Sequence, residues 1–110
     1  MKNSDYCNIN NLEFSSKSIT YLREIEDTAS LGNYLAGGVS AVEFVNIFAD
    51  RQYYKVVKNI TTNDWEEFSK ALLGIRLMTR NSAMKVTYKA YENTKGEERE
   101  FWKCMHKALR

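Results

Sequence analysis

The chain has 110 residues, 44% of them hydrophobic and 27% charged, with a formal net charge of +2. This is the length of one domain, and the composition excludes both the disordered and the membrane-spanning classes. No run approaches the roughly 20 apolar residues that span a bilayer. The opening residues MKNSDYCNIN lack the apolar centre of a secretory signal, so a cytoplasmic protein is expected.

The charge is uneven. Residues 1–38 carry three basic and five acidic side chains, and residues 82–110 carry seven basic and four acidic. Neither end is the dense Lys/Arg tract of a nucleic-acid tail. Cys7 and Cys104 lack metal-ligand spacing, and in a reducing compartment they read as thiols rather than as a disulfide.

Residues 1–17 are rich in Asn and Ser and read as partly irregular, with a short turn at Asn11 to Phe14. From Ser18, apolar residues at Ile19, Leu22, Ile25, Ala29, Tyr34 and Leu35 fit a helix facing a core. Gly37 and Gly38 stop it, because glycine takes the left-handed C-terminal cap without a Cβ penalty. Ser40 and Glu43 form a capping box for the next helix, stapled by Val39 and Phe44. Its apolar arc, Ala41 to Ala49, is too wide for a surface helix and predicts the buried centre of the domain.

Asn59 to Thr62 break the pattern, and a third helix begins at Thr62 or Asn63 with Trp65, Phe68, Leu72, Ile75 and Met78 along its inner stripe. Asn81-Ser82 reads as a restart. Met84, Tyr88 and Tyr91 then share one face, beside Ala83, Val86 and Ala90. After a loop at Asn93 to Gly96, the residues Phe101, Met105, Ala108 and Leu109 mark a last amphipathic helix. The chain has no proline and no internal repeat, so the expected fold is a single all-α domain over residues 1–110, an antiparallel bundle of four to five helices.

Few residues suggest catalysis. The only histidine, His106, lies two positions from Cys104, and positions i and i+2 of a helix point apart. One His and two distant Cys are too few for a zinc site. No phosphate-cradling glycine motif is present. The sequence therefore predicts no catalytic residues, no cofactor and no metal.

Two acidic clusters stand out: Glu24, Glu26 and Asp27, and Asp64, Glu66 and Glu67. The second falls in a first helical turn, where acids complement the helix dipole; the first has no such structural reason. Cations also interleave with aromatics at Arg51, Tyr53, Tyr54, Lys55 and Lys58, and at Lys85, Tyr88, Lys89 and Tyr91. Such mixtures can bind nucleic acid, although tyrosines that pack inward beside solvated lysines leave the same pattern.

The stretch YLAGGVSAVEFVNIF, Tyr34 to Phe48, resembles the signature region of the colicin-like self-protective immunity proteins, the family of the colicin D immunity protein. The positions that carry the likeness are Leu35, Gly38, Ser40, Ala41, Glu43, Phe44 and Phe48. The resemblance implies a small helical bundle without enzymatic activity. Such a protein binds one to one, as a monomer, to a cognate nuclease toxin and blocks its active site. The toxin would be a tRNA-cutting domain of a bacteriocin or of a contact-dependent inhibition system. Glu24, Glu26, Asp27, Asp64, Glu66 and Glu67 would meet its RNA-gripping surface, with Lys85, Tyr88 and Lys89 as a further contact face. The alternatives are a small nucleic-acid-binding regulator and a helical adaptor of phage or mobile-element origin.

Overall fold

The computed structural model describes residues 7–35, 44–49, 57–72 and 77–110. These form β1 (Ile9–Glu13), α1 (Ser16–Leu35), α2 (Phe44–Phe48), β2 (Val57–Ile60), α3 (Thr62–Leu72), α4 (Leu77–Glu92) and α5 (Gly96–Leu109). The chain is mostly helical, but the all-α expectation needs one correction: β1 and β2 pair as an antiparallel two-stranded sheet.

The correction falls on the segment read as irregular. Ile9 pairs with Ile60, Leu12 with Lys58 and Glu13 with Val57, with a register irregularity between Ile9 and Leu12. Asn11 sits there at φ 57°, a left-handed conformation that Asn tolerates, and its N–H donates to Asn59 Oδ1 at 2.8 Å. Asn and Ser have low strand propensity, so nothing local announces this strand. It forms because Leu12 and Phe14 are buried when the segment lies along β2.

Ser15 opens α1, its hydroxyl accepting the Ser18 N–H at 3.3 Å and its carbonyl the Ile19 N–H at 3.1 Å. Ile19, Leu22, Ile25 and Ala29 are buried, as their spacing predicts. The glycine stop at Gly37-Gly38 and the capping box of Ser40 and Glu43 lie outside the described residues, as do Arg51, Tyr53, Tyr54 and Lys55. The described part of the second helix is one turn, α2, with Phe44, Val45 and Phe48 buried.

A Thr61–Asp64 cap starts α3: Asp64 Oδ2 accepts the Thr61 N–H at 2.9 Å and its hydroxyl at 3.3 Å. Trp65, Phe68 and Leu72 form its buried stripe. Helix α4 runs through Asn81-Ser82 without the expected restart. Both residues are exposed, where the propensity cost of well under ~1 kcal/mol each is too small to break a helix that packs on two neighbours.

The structure decides which of the two adjoining faces of α4 turns inward. Ala83, Val86, Thr87 and Ala90 are buried, while Met84 and Tyr91 are partly covered and Tyr88 is exposed. These small residues allow the neighbouring helices to approach closely. Gly96 then starts α5 at φ 61°, a conformation that side chains other than Gly rarely adopt. Phe101 lies at the centre of the core. Its ring is 5.0 Å from Phe14, 5.1 Å from Phe48, 5.6 Å from Trp65 and 5.2 Å from Trp102.

The thiol expectation is also overturned. Packing β1 against α5 brings Cys7 and Cys104 to a Cα separation of 5.9 Å, and their sulfurs are joined as a disulfide. The compartment argument carries no information on which residues the fold brings together.

Candidate functional site

Among the described residues, exposed charge and the exposed ring of Tyr88 meet on helices α1, α4 and α5. Helix α4 packs against both of the others. Lys89 Nζ on α4 lies 3.8 Å from Glu24 Oε1 on α1, and both side chains are largely exposed. This pair joins two clusters that are separate in the sequence. Asp27 is exposed one turn beyond Glu24, and Lys85 is exposed one turn before Lys89. Between them Tyr88 stands 57% exposed, one of only two large hydrophobic side chains so exposed among the described residues.

Glu26 does not belong to this face. It is 4% exposed, and its Oε2 accepts the Val45 N–H at 3.0 Å. On a helix, positions 24 and 27 share a side whereas 26 turns away, so one acidic run serves two environments. Its burial takes Glu26 out of the expected contact surface.

The second acidic cluster lies apart, because α3 packs mainly on α2 and α5. Asp64 is occupied by its cap and by Lys58 Nζ at 4.0 Å, whereas Glu66 and Glu67 are exposed. The dipole and cap account for Asp64 in full.

On the other side of Tyr88, α4 and α5 enclose a groove of about 280 Å³ lined by Tyr88, Tyr91, Lys103, His106, Lys107 and Arg110. Tyr88 is among the residues that the sequence pattern singles out; the α5 residues are not. Their signal was the spacing 103, 106, 107 and 110, which places four basic groups on one side of a helix. The guanidinium of Arg99 lies over the Tyr91 ring, 4.3 Å from its centroid.

Groups with chemical potential are held by structural partners. The Thr87 hydroxyl donates to the Met84 carbonyl at 2.8 Å, so its contact at 3.2 Å with His106 Nδ1 is one in which Nδ1–H donates. Glu98 Oε2 accepts the Ser15 N–H at 3.1 Å, the Ser15 hydroxyl at 2.8 Å and the Ser18 hydroxyl. Ser18 Oγ in turn accepts Trp102 Nε1–H at 3.1 Å. This network ties the start of α1 to the middle of α5. No group of three metal-ligating side chains comes together among the described residues, and no helix there is long and apolar enough to cross a membrane.

The α1–α4–α5 face offers a ring, both charge signs and a groove. Comparison of the chain with known protein families, with characterised proteins and with solved structures gives no match.

Proposed function

We propose that the chain is a non-enzymatic immunity-type protein, which neutralises a cognate nuclease toxin by binding over its active site. The observation that carries this reading is Tyr88, 57% exposed on α4 beside the Glu24–Lys89 pair. A ring projecting from a rigid helix amid charges of both signs has the make-up of a protein-binding hot spot with its polar rim. The resemblance of Tyr34 to Phe48 to the colicin-like immunity proteins supports the choice of partner. Binding is one to one, with Glu24 and Asp27 facing cations that grip RNA in the toxin.

The test is co-expression with the C-terminal domain of a large secreted toxin encoded beside this chain. The wild-type chain should restore growth. Glu24→Lys with Asp27→Lys should leave the melting temperature nearly unchanged, since both positions are exposed, yet weaken binding by a few kcal/mol. A toxin that kills despite the wild-type chain refutes the reading, and full protection by the double variant removes the acidic contact from it.

A nucleic-acid-binding regulator is the second reading, favoured by the basic residues that line the α4–α5 groove beside Tyr88 and Tyr91. A gel-shift titration that weakens steeply with salt would favour it. We place the protein in the cytoplasm with the partner it neutralises. The Cys7–Cys104 disulfide weighs against that placement, because cytosolic pools keep most thiols reduced. Trapping free thiols with an alkylating agent at lysis decides the point: two labelled cysteines fit the cytoplasm, none an oxidising compartment.

A further inference from the structure

We infer that the groove between α4 and α5 receives an acidic segment of a partner protein, anchored by one aromatic or large apolar side chain. The inference rests on the reading of this chain as a binding protein and names the chemistry of what it binds there.

Size is the first argument. About 280 Å³ is just under the ~300–1,000 Å³ of small-ligand pockets, and suits a single large side chain. Surroundings are the second. Tyr88 and Tyr91 supply ring surface, and the α5 side presents Lys103 and Arg110, with no acidic side chain among the lining residues. Carboxylates on either side of an anchor would therefore meet cations whichever way the segment runs.

Part of that charge has a structural reason. His106, Lys107 and Arg110 stand at the C-terminal end of α5, where cations complement the helix dipole. Lys103 lies in the middle of α5, and the dipole gives no reason for an exposed ring at Tyr88. These two features are the ones we assign to the partner.

A protein segment fits better than single-stranded nucleic acid. Binding a strand requires successive free aromatic faces on which bases stack. Here Arg99 already covers one face of Tyr91, which leaves Tyr88 as the one largely exposed ring of the groove. One anchor with flanking charge is what a peptide supplies.

The test uses the full chain and fluorescein-labelled peptides eight residues long. One is rich in Glu and Asp around a central Phe; the others replace that Phe by Gly, or the acids by Lys. A labelled 12-nucleotide oligo(dT) is the fourth probe. Fluorescence anisotropy at moderate salt should rank the acidic Phe peptide first. Losing its Phe, or introducing Tyr88→Ala or Lys103→Glu into the protein, should each weaken it about tenfold. Thermal melts confirm that both variants fold, as their exposure predicts. Three outcomes overturn the inference: tighter binding of oligo(dT), equal binding with and without the Phe, or no binding of the acidic Phe peptide at millimolar concentration. The growth assay keeps the two readings apart. A chain that takes the peptide but gives no protection refutes the immunity function and leaves the groove standing.

Discussion

Glu24 and Glu26 differ by two positions and by their whole physical situation. Glu24 reaches solvent and Lys89, an exposed pair of the kind that contributes between zero and about 1 kcal/mol. Glu26 is buried and accepts the Val45 N–H of α2, a turn also held by apolar contacts and by Lys58 Nζ, which donates to the Ile47 carbonyl. Removing such an acceptor leaves a buried donor unpaired, at roughly 1–3 kcal/mol. Glu26→Ala should therefore lower the unfolding free energy read from a urea titration by about that amount, and Glu24→Ala by less than about 0.5 kcal/mol. Equal shifts in parallel denaturation curves would show that the carboxylate of Glu26 does not hold α2.

Among the elements, α5 is joined to the rest by both ring packing and hydrogen bonds. Phe101 fills the centre, while Trp102 reaches α1 through Ser18, whose hydroxyl also donates to Glu98. The chain Trp102–Ser18–Glu98 is buried or half-buried along its length, so each member depends on the next for its partner. Ser18→Ala removes one oxygen and orphans Trp102 Nε1. It should cost about 1–3 kcal/mol, against roughly 0.5 kcal/mol or less for Ser16→Ala at the exposed start of the same helix. Calorimetric melts of the two variants make the comparison. A harmless Ser18→Ala would mean that water replaces the hydroxyl between α1 and α5.

For the whole molecule, the largest single constraint is the Cys7–Cys104 disulfide, which spans 97 residues of sequence. A cross-link over so long a loop mainly restricts the unfolded chain, and typically contributes about 2–4 kcal/mol. Cys7 is also fixed through its backbone, since its carbonyl accepts Trp65 Nε1–H at 3.1 Å. Replacing both cysteines by alanine should lower Tm by roughly 10–20 °C without changing the helical signal at 20 °C. Reductant should lower the wild-type Tm by a similar amount and leave the double variant unaffected. A wild-type melt insensitive to reductant would show that the two sulfurs are not joined in solution.

The sequence by itself determined the features whose causes are local. The α3 stripe of Trp65, Phe68 and Leu72, the buried positions of α1 and the centrality of Phe44 and Phe48 follow from helical spacing. The alternation of cations and rings marks Tyr88 and Lys89 as candidates, but whether Tyr88 packs inward or reaches solvent is not legible in it. Tertiary structure alone decided the rest, and the reason is distance along the chain. Strand β1 exists because β2 pairs with it from some 50 residues away, against its own propensity. The partnership of Glu26 depends on Val45, 19 positions on, and the disulfide on residues 97 apart. The α4–α5 groove needs two helices packed side by side before Lys103 and Tyr88 become neighbours. Periodicity within α1 puts position 26 on the inner side, but no single helix encodes these partnerships, because each joins surfaces that only the closed fold brings together.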